Sequence, residues 1–209
     1  MVIDLVALDM AGTTIEEHGA VYEVLREVVG VADVGAWMGA DKREAIAALA
    51  GPGADVDGLY RRFVTRLAER YRQRPPEPIP GVVETLATLR DRGVRVALTT
   101  GFGRDVAEPL LASLGWDVGT TVDAVVCADE VAAGRPAPYL VFRAMERAGA
   151  RRVDRVLVAG DTTADLEAGT NAGAGVVVGV GTGGCTLDQL AHAPHTHLLP
   201  SVTGIVDLV

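Results

Sequence analysis

The chain has 209 residues, of which 49% are hydrophobic and 4% aromatic, enough for one ordinary core with room for an insert. Its 19 basic and 28 acidic residues leave a formal charge of −9, which argues against a nucleic acid or an anionic membrane as partner; a phosphate site would have to bring its own local positive charge. No apolar run approaches the roughly 18 residues needed to span a bilayer, no basic leader is visible, and Cys127 and Cys185 stand far apart without metal-ligand spacing, so a reduced, cytoplasmic protein is expected.

The first apolar run, Val2 to Leu8, carries only one charge, Asp4. It reads as a buried parallel strand that ends at Asp9 and passes into a Gly-Thr-Thr loop. Asp9 then stands where open α/β sheets place their ligands. It could be a nucleophile, a metal ligand, or a plain turn cap. Val21, Leu25, Val28 and Val29 are spaced for a helix over 20–31. A second helix is expected over 34–49 and a third over 56–74. The third carries the stripe Leu59, Phe63, Leu67 and Tyr71, with arginines on its other faces that read as a solvated surface. Arg74 to Gly81 holds four prolines in eight residues, a linker and a stop signal. Residues 16–78 are thus expected to form an all-helical insert, set between 1–15 and 79–209.

From Gly81 onward strands and helices alternate. Helices are expected over 82–92, 105–114 (with Pro109 able to kink it), 139–148, 164–172 and 186–191. Strands are expected over 94–99, 124–127, 155–159, 175–180 and 197–199, before a closing helix. Repeated βα units imply an α/β fold, a parallel sheet with helices on both faces.

Four groups fall at or just past the carboxyl ends of these strands: Asp9, Thr100, Arg135, and the pair Asp161 and Asp165. Gly160 to Asp165 reads GDTTAD, with two carboxylates four residues apart where a loop enters a helix. With Asp9 they could hold a hard cation through oxygens, and Mg²⁺ suits that donor set. The simpler alternatives are an N-cap for Asp161 and a solvated first-turn carboxylate for Asp165. Thr99-Thr100-Gly101 offers a hydroxyl and free N–H groups; Thr100 is selected because the glycine follows it, with Thr99 the alternative. Arg135, in Gly-Arg-Pro-Ala-Pro, could bind two phosphoryl oxygens at once, or be a surface arginine before a proline-capped helix.

The D-x-x-G-T-T core after an apolar strand resembles motif I of the haloacid dehalogenase superfamily. The resemblance implies a Rossmann-like core with a small mobile helical cap. It implies that Asp9 attacks phosphorus and forms an aspartyl phosphate. It places the metal against Asp9, the Ala11 backbone carbonyl and Asp161, with Asp165 in the outer shell or bridging to the basic residue. It places the phosphate against Met10, Gly12, Gly101 and Arg135. Most phosphatases of the superfamily have a second Asp, a general acid and base, where this chain has Ala11. GRPAP together with D-x-A-G-T-T resembles the phosphonoacetaldehyde hydrolases (phosphonatases), and their chemistry accounts for Ala11. An ester leaves as an alkoxide and wants a proton. A C–P bond leaves a carbanion, which needs an electron sink such as a protonated imine between an aldehyde and a lysine.

The chain has a single lysine, Lys42, in Trp37-Met38-Gly39-Ala40-Asp41-Lys42. In phosphonatases the imine-forming lysine lies on the cap shortly after a Met-Gly pair, and Lys42 matches that placement. Such a lysine must lose its proton, so its pKa of about 10.4 has to fall in a dry pocket. The plain alternative is a surface lysine on an amphipathic helix. The chain departs from the phosphonatase pattern in lacking a histidine one turn later, where it has Arg43-Glu44-Ala45, and in the small size of its insert.

The expected function is therefore a Mg²⁺-dependent phosphonatase-like hydrolase of a small phosphonate. The alternative is a phosphomonoesterase of a small phosphorylated metabolite, slow because of Ala11. A phospho-ligand binder without turnover is a third reading, against which Asp9 argues. The resemblance is compatible with a homodimer. Two other patterns are set aside. Gly179 to Gly184 spells G-x-G-x-x-G, but far from the first strand, and is read as a loop glycine cluster. His192, His195 and His197 are read as surface histidines, not a zinc site.

Overall fold

The structure, a computed structural model, describes residues 2–209. Six parallel strands form the sheet: β1 (Leu5–Asp9), β4 (Arg95–Thr99), β5 (Ala124–Val126), β6 (Val156–Gly160), β7 (Val176–Val180) and β8 (His197–Leu199). Their spatial order is β5-β4-β1-β6-β7-β8. β1 is central and wholly buried, which is why its sequence is a continuous apolar run and not an alternation. The chain builds outward from β1 on one side through β4 and β5, then returns to build β6, β7 and β8 on the other. That reversal opens a crevice at the carboxyl ends of β1, β4 and β6, where ligands of such sheets bind. Registry sets Asp9 beside Thr99 and carries Leu8 beside Ala159 of β6.

The helices on the sheet are α4 (Val82–Asp91), α5 (Arg104–Leu114), α6 (Tyr139–Ala148), α7 (Thr163–Ala172) and the single turn α8 (Leu187–Leu190). Pro109 lies inside α5 without ending it. The expected closing helix is a 3₁₀ turn over Val202–Asp207.

Between β1 and α4 come three more helices, α1 (Ala20–Val29), α2 (Lys42–Ala50) and α3 (Val56–Gln73). On α3, Tyr60, Phe63 and Leu67 are buried. Arg66 and Arg70 reach Glu27 and Glu23 of α1 at 3.4 and 3.5 Å, all partly exposed. This is the solvated face expected of them, and each such pair contributes less than about 1 kcal/mol.

Two features differ from the sequence reading. The helix expected over 34–49 is a 3₁₀ turn, Gly35–Trp37, followed by α2 starting at Lys42. Gly39 at φ +76° cannot continue a helix. Asp41 then caps α2, accepting the Arg43 and Glu44 N–H groups at 2.6 and 3.1 Å. Secondly, the linker is paired: β2 (Ile15–Glu16) and β3 (Glu77–Pro78) form a two-stranded antiparallel ribbon, joining the two ends of the helical segment. Two-residue strands are too short to show an alternation, and Pro78 reads as a breaker although a ribbon edge accepts it. Among the described residues no helix is long and apolar enough to cross a membrane.

Candidate active site

β1 ends at Asp9 and the chain turns at once. Thr14 Oγ1 donates to the Asp9 carbonyl at 2.9 Å, while Thr13 Oγ1 reaches across to Asp161 Oδ1 at 2.9 Å. Gly12 has φ +92°, and a Cβ there would lie 2.5 Å from Asp161 Oδ2; no side chain fits between the two loops. At the end of β6, Thr162 caps α7 and Asp165 closes the capping box, with the Thr162 N–H on Asp165 Oδ2 at 3.1 Å. Thr162 thus does the capping, and Asp161 is held in the crevice.

Arg135 joins the strand ends. Nη1 donates to Asp9 Oδ1 at 2.7 Å, Nε lies 2.9 Å from Asp165 Oδ1, and Nη2 donates to the Thr99 hydroxyl and carbonyl at 2.8 and 3.0 Å. It is buried, not a surface residue. Only a planar fork grips three residues in this way. The Thr99 hydroxyl accepts from Arg135 and Thr99 does not border the cavity. Thr100 lines the cavity instead; its Oγ1 accepts the Phe102 N–H at 3.1 Å, leaving its own O–H to donate.

The 39–41 backbone crosses directly over this loop. A Cβ on Gly101 would lie 2.4 Å from the Ala40 carbonyl oxygen, and the Lys42 N–H donates to the Gly101 carbonyl at 3.2 Å. Lys42 is therefore not a surface residue but is 4% exposed. Its Nζ donates to the Ala40 carbonyl at 2.6 Å and lies 5.9 Å from the Phe102 ring centroid. Burial pulls its pKa down to about 8, partly opposed by the negative charge of Asp9.

Asp9, Ala11, Lys42, Thr100, Arg135 and Asp161 border one narrow cavity. Gly101 borders it too, and Asp165 stands behind Arg135. The two other residues assigned to the phosphate adjoin the site through their backbones, Met10 by an N–H on the Asp9 carboxylate and Gly12 by its packing against Asp161. The Met10 side chain is fully buried in the core. The Gly12 N–H is already taken by the Ile15 carbonyl at 2.8 Å, so it is no free phosphate donor.

Three carboxylates share this buried site, facing Arg135 and Lys42. Burial raises Asp9 to about 6, with Arg135 pulling it down and Asp161 pushing it up. Burial likewise raises Asp161 to about 6, helped by the charge of Asp165, and Asp165 to about 6, against the pull of Arg135. Both oxygens of Asp165 are engaged, by Arg135 and Thr162. Asp9 and Asp161, unlike Asp165, border the cavity that Ala11 also lines, although Asp161 also accepts from Thr13 and Gly184. An all-oxygen, negatively charged, buried donor set fits a hard divalent cation.

The sequence reading missed Thr13, Tyr22, Phe102, Thr162 and Gly184. Gly184 is the instructive case. The glycine cluster read as a plain loop is the second wall around Asp161: the Gly184 N–H donates to Asp161 Oδ2 at 2.6 Å, and a Cβ on Gly183 would lie 2.1 Å from the same oxygen. No local pattern ties residues 161 and 184 together. The histidines at 192, 195 and 197 are exposed and each binds a neighbouring oxygen through Nδ1.

An aspartate at a central strand end, a buried arginine beside it and an acidic loop across the crevice define a hydrolase of the haloacid dehalogenase type. The family model for haloacid dehalogenase-like hydrolases matches residues 3–173, and the chain belongs to that family. Within it, the chain is similar to the phosphonoacetaldehyde hydrolase of Parabacteroides distasonis, at 36% identity over 144 residues covering 67% of this chain and 53% of that protein. It is also similar to that of Paraburkholderia phytofirmans, at 29% over 224 residues covering 92% and 82%. The chain spans about half the length of several curated relatives that it matches. Among solved structures, a phosphonoacetaldehyde hydrolase-like protein from Oleispira antarctica superposes with a TM-score of 0.86 at 23% identity, covering 99% of this chain and 91% of that one; this likeness speaks to the fold.

Proposed function

We propose that the chain is a phosphonatase-like hydrolase that uses a divalent cation, Mg²⁺, and acts on phosphonoacetaldehyde or a similarly small aldehyde-bearing phosphonate. The observation that carries this reading is that Lys42, the one lysine, is buried in the cavity that Asp9 and Ala11 line. A site built for ester hydrolysis would carry an acid at position 11; this one carries a desolvated amine.

With a pKa of about 8, about a tenth of Lys42 is neutral at pH 7. The neutral amine adds to the aldehyde and water leaves, giving a protonated imine. Asp9 attacks phosphorus, the C–P electron pair passes into the imine, and an enamine and an aspartyl phosphate result. Protonation of the enamine carbon and hydrolysis of the imine release acetaldehyde; water cleaves the acyl phosphate. Arg135 and the Thr100 hydroxyl bind the phosphoryl oxygens. Asp9, the Ala11 carbonyl and Asp161 would hold the cation, which when bound would neutralise charge as the carboxylate approaches the phosphonate. Residues 16–78 serve as a cap that closes over a core of 1–15 and 79–209, excludes water and delivers Lys42, with the β2–β3 ribbon as its hinge.

Borohydride trapping tests the reading. With Mg²⁺ and phosphonoacetaldehyde, the expected result is a reduced adduct on the peptide holding Lys42, and phosphate release when reductant is omitted. No adduct and no phosphate would overturn it.

The cation has a test of its own. The folded-state pKa values of Asp9, Asp161 and Asp165 are raised. Between about pH 4 and 6 the folded chain therefore binds more protons there than the unfolded chain, and stability without cation falls as pH rises through that window. A cation competes with those protons. Saturating Mg²⁺ is expected to raise Tm by several degrees near pH 7.5 and by less near pH 5.5, read by calorimetry. Equal shifts at both values would count against this site.

One observation favours a second reading, a phosphomonoesterase of small metabolites. Lys42 Nζ donates to the Ala40 carbonyl at 2.6 Å, which suits an ammonium that only binds an anionic substrate. Under that reading Ala11→Asp restores the missing acid and raises turnover of alkyl phosphates by about a hundredfold; no gain would sink it.

A further inference from the structure

Tyr22 borders two spaces. It lines the inner cavity with Asp9, Lys42 and Asp161. It also lines an outer cleft between α1, the turn at 33–38 and the Gly184 loop. Met38 and Gly184 border the cleft as well. The Met38 methyl packs onto Gly184, 2.1 Å from where a Cβ would stand, while the Gly184 N–H holds Asp161. One partition thus separates the cleft from the carboxylate wall of the cavity, and Tyr22 is the residue that borders both spaces.

The ring is held in place. Glu17, itself buried, accepts the Val21 N–H at 2.8 Å and fixes the first turn of α1. Tyr22 is half-buried and packs against the main core. A second cleft meets Lys42 from another side, bordered by Tyr60, Asp105 and Asp129. There the Tyr60 O–H is tied to Asp105 at 2.8 Å, and none of Asp9, Ala11, Thr100, Arg135 or Asp161 lines that cleft.

We propose that the outer cleft is the substrate entrance and that Tyr22 is a specificity-determining gate, which admits a short aliphatic aldehyde and turns away aryl or sugar-sized fragments. The proposal rests on the phosphonatase-like reading for Lys42 as the aldehyde-accepting group, and it adds the size class of the substrate and the residue that sets it.

Because Lys42 is the sole lysine, its reductive alkylation reports passage into the cavity without requiring turnover. The aldehyde condenses with the neutral amine and loses water. Cyanoborohydride then delivers hydride to the C=N bond, leaving a secondary amine on Nζ, read as a mass gain on the peptide holding residue 42. Rates are corrected for each aldehyde's reactivity toward free lysine. Wild type is expected to be labelled by acetaldehyde and about tenfold more slowly by benzaldehyde. Tyr22→Ala is expected to speed benzaldehyde labelling about tenfold and to change acetaldehyde labelling little. Tyr22→Phe, which keeps the ring, is expected to keep the discrimination. If Tyr22→Ala fails to fold by circular dichroism, Tyr22→Leu carries the same expectation.

Equal benzaldehyde rates in wild type and variant would overturn the gate. So would wild-type labelling by benzaldehyde as fast as by acetaldehyde, or no labelling by either, since the route would then not reach Lys42. Labelling as expected in a protein that releases no phosphate from phosphonoacetaldehyde would overturn the function reading and leave the gate standing.

Discussion

Asp9→Asn is expected to lower kcat for phosphate release by at least about four orders of magnitude without lowering the melting temperature of the cation-free protein. The first half follows from the proposed role: an amide is no nucleophile toward phosphorus, and losses of that order attend removal of a covalent nucleophile. The second half follows from the electrostatics. Asp9 is 6% exposed, and burial outweighs the attraction of Arg135, so its pKa is raised to about 6. A carboxylate that the folded chain holds against its preference for water contributes no net stability near neutral pH. Asparagine keeps the shape and removes the charge, and Arg135 retains Asp165. Steady-state kinetics and calorimetry check the two halves separately. Retained turnover would refute the nucleophile, and a large drop in Tm would show that Asp9 is structural.

Arg135→Met is expected to do the opposite to stability while also removing activity. Arg135 bonds Asp9, Asp165 and Thr99 in a site where all four are buried; burial pulls its pKa down, but Asp165 and Asp9 together outweigh it and raise the pKa above the usual arginine range. Removing it leaves two buried carboxylates without their counter-charge. Breaking a buried pair by removing one partner costs about 3–5 kcal/mol, or about 10 °C in Tm for a chain of this size. Turnover should fall about a thousandfold, the scale on which such a charge stabilises a transferring phosphoryl group. Arg135→Lys should recover part of the stability and little of the activity, since one ammonium cannot span all three partners. A stable, inactive Arg135→Met protein would confine Arg135 to binding phosphate. A stable, active one would remove it from the site.

The sequence by itself determined the parts whose causes are local. β1 had to read as a continuous apolar run because a central strand is buried on both faces. Asp9, Thr100 and Asp161 could be singled out because each stands where a strand ends, and Arg135 and Asp165 because they belong to the short GRPAP and GDTTAD patterns that follow; the capped turns at Gly12 and Asp165 need small or hydrogen-bonding residues at fixed offsets. The helical stripe of α3 was legible for the same reason. What only the tertiary structure decided are the meetings across the chain. Arg135 lies 126 residues from Asp9, so its choice of Thr99 as partner, which leaves Thr100 to the cavity, has no sequence signal. The break before Lys42 depends on one positive φ and one cap, which a count of apolar positions passes over. The two-residue ribbon, the hold of Gly184 on Asp161 and the place of Tyr22 between two spaces arise from close packing between segments that sequence periodicity, a short-range signal, cannot relate.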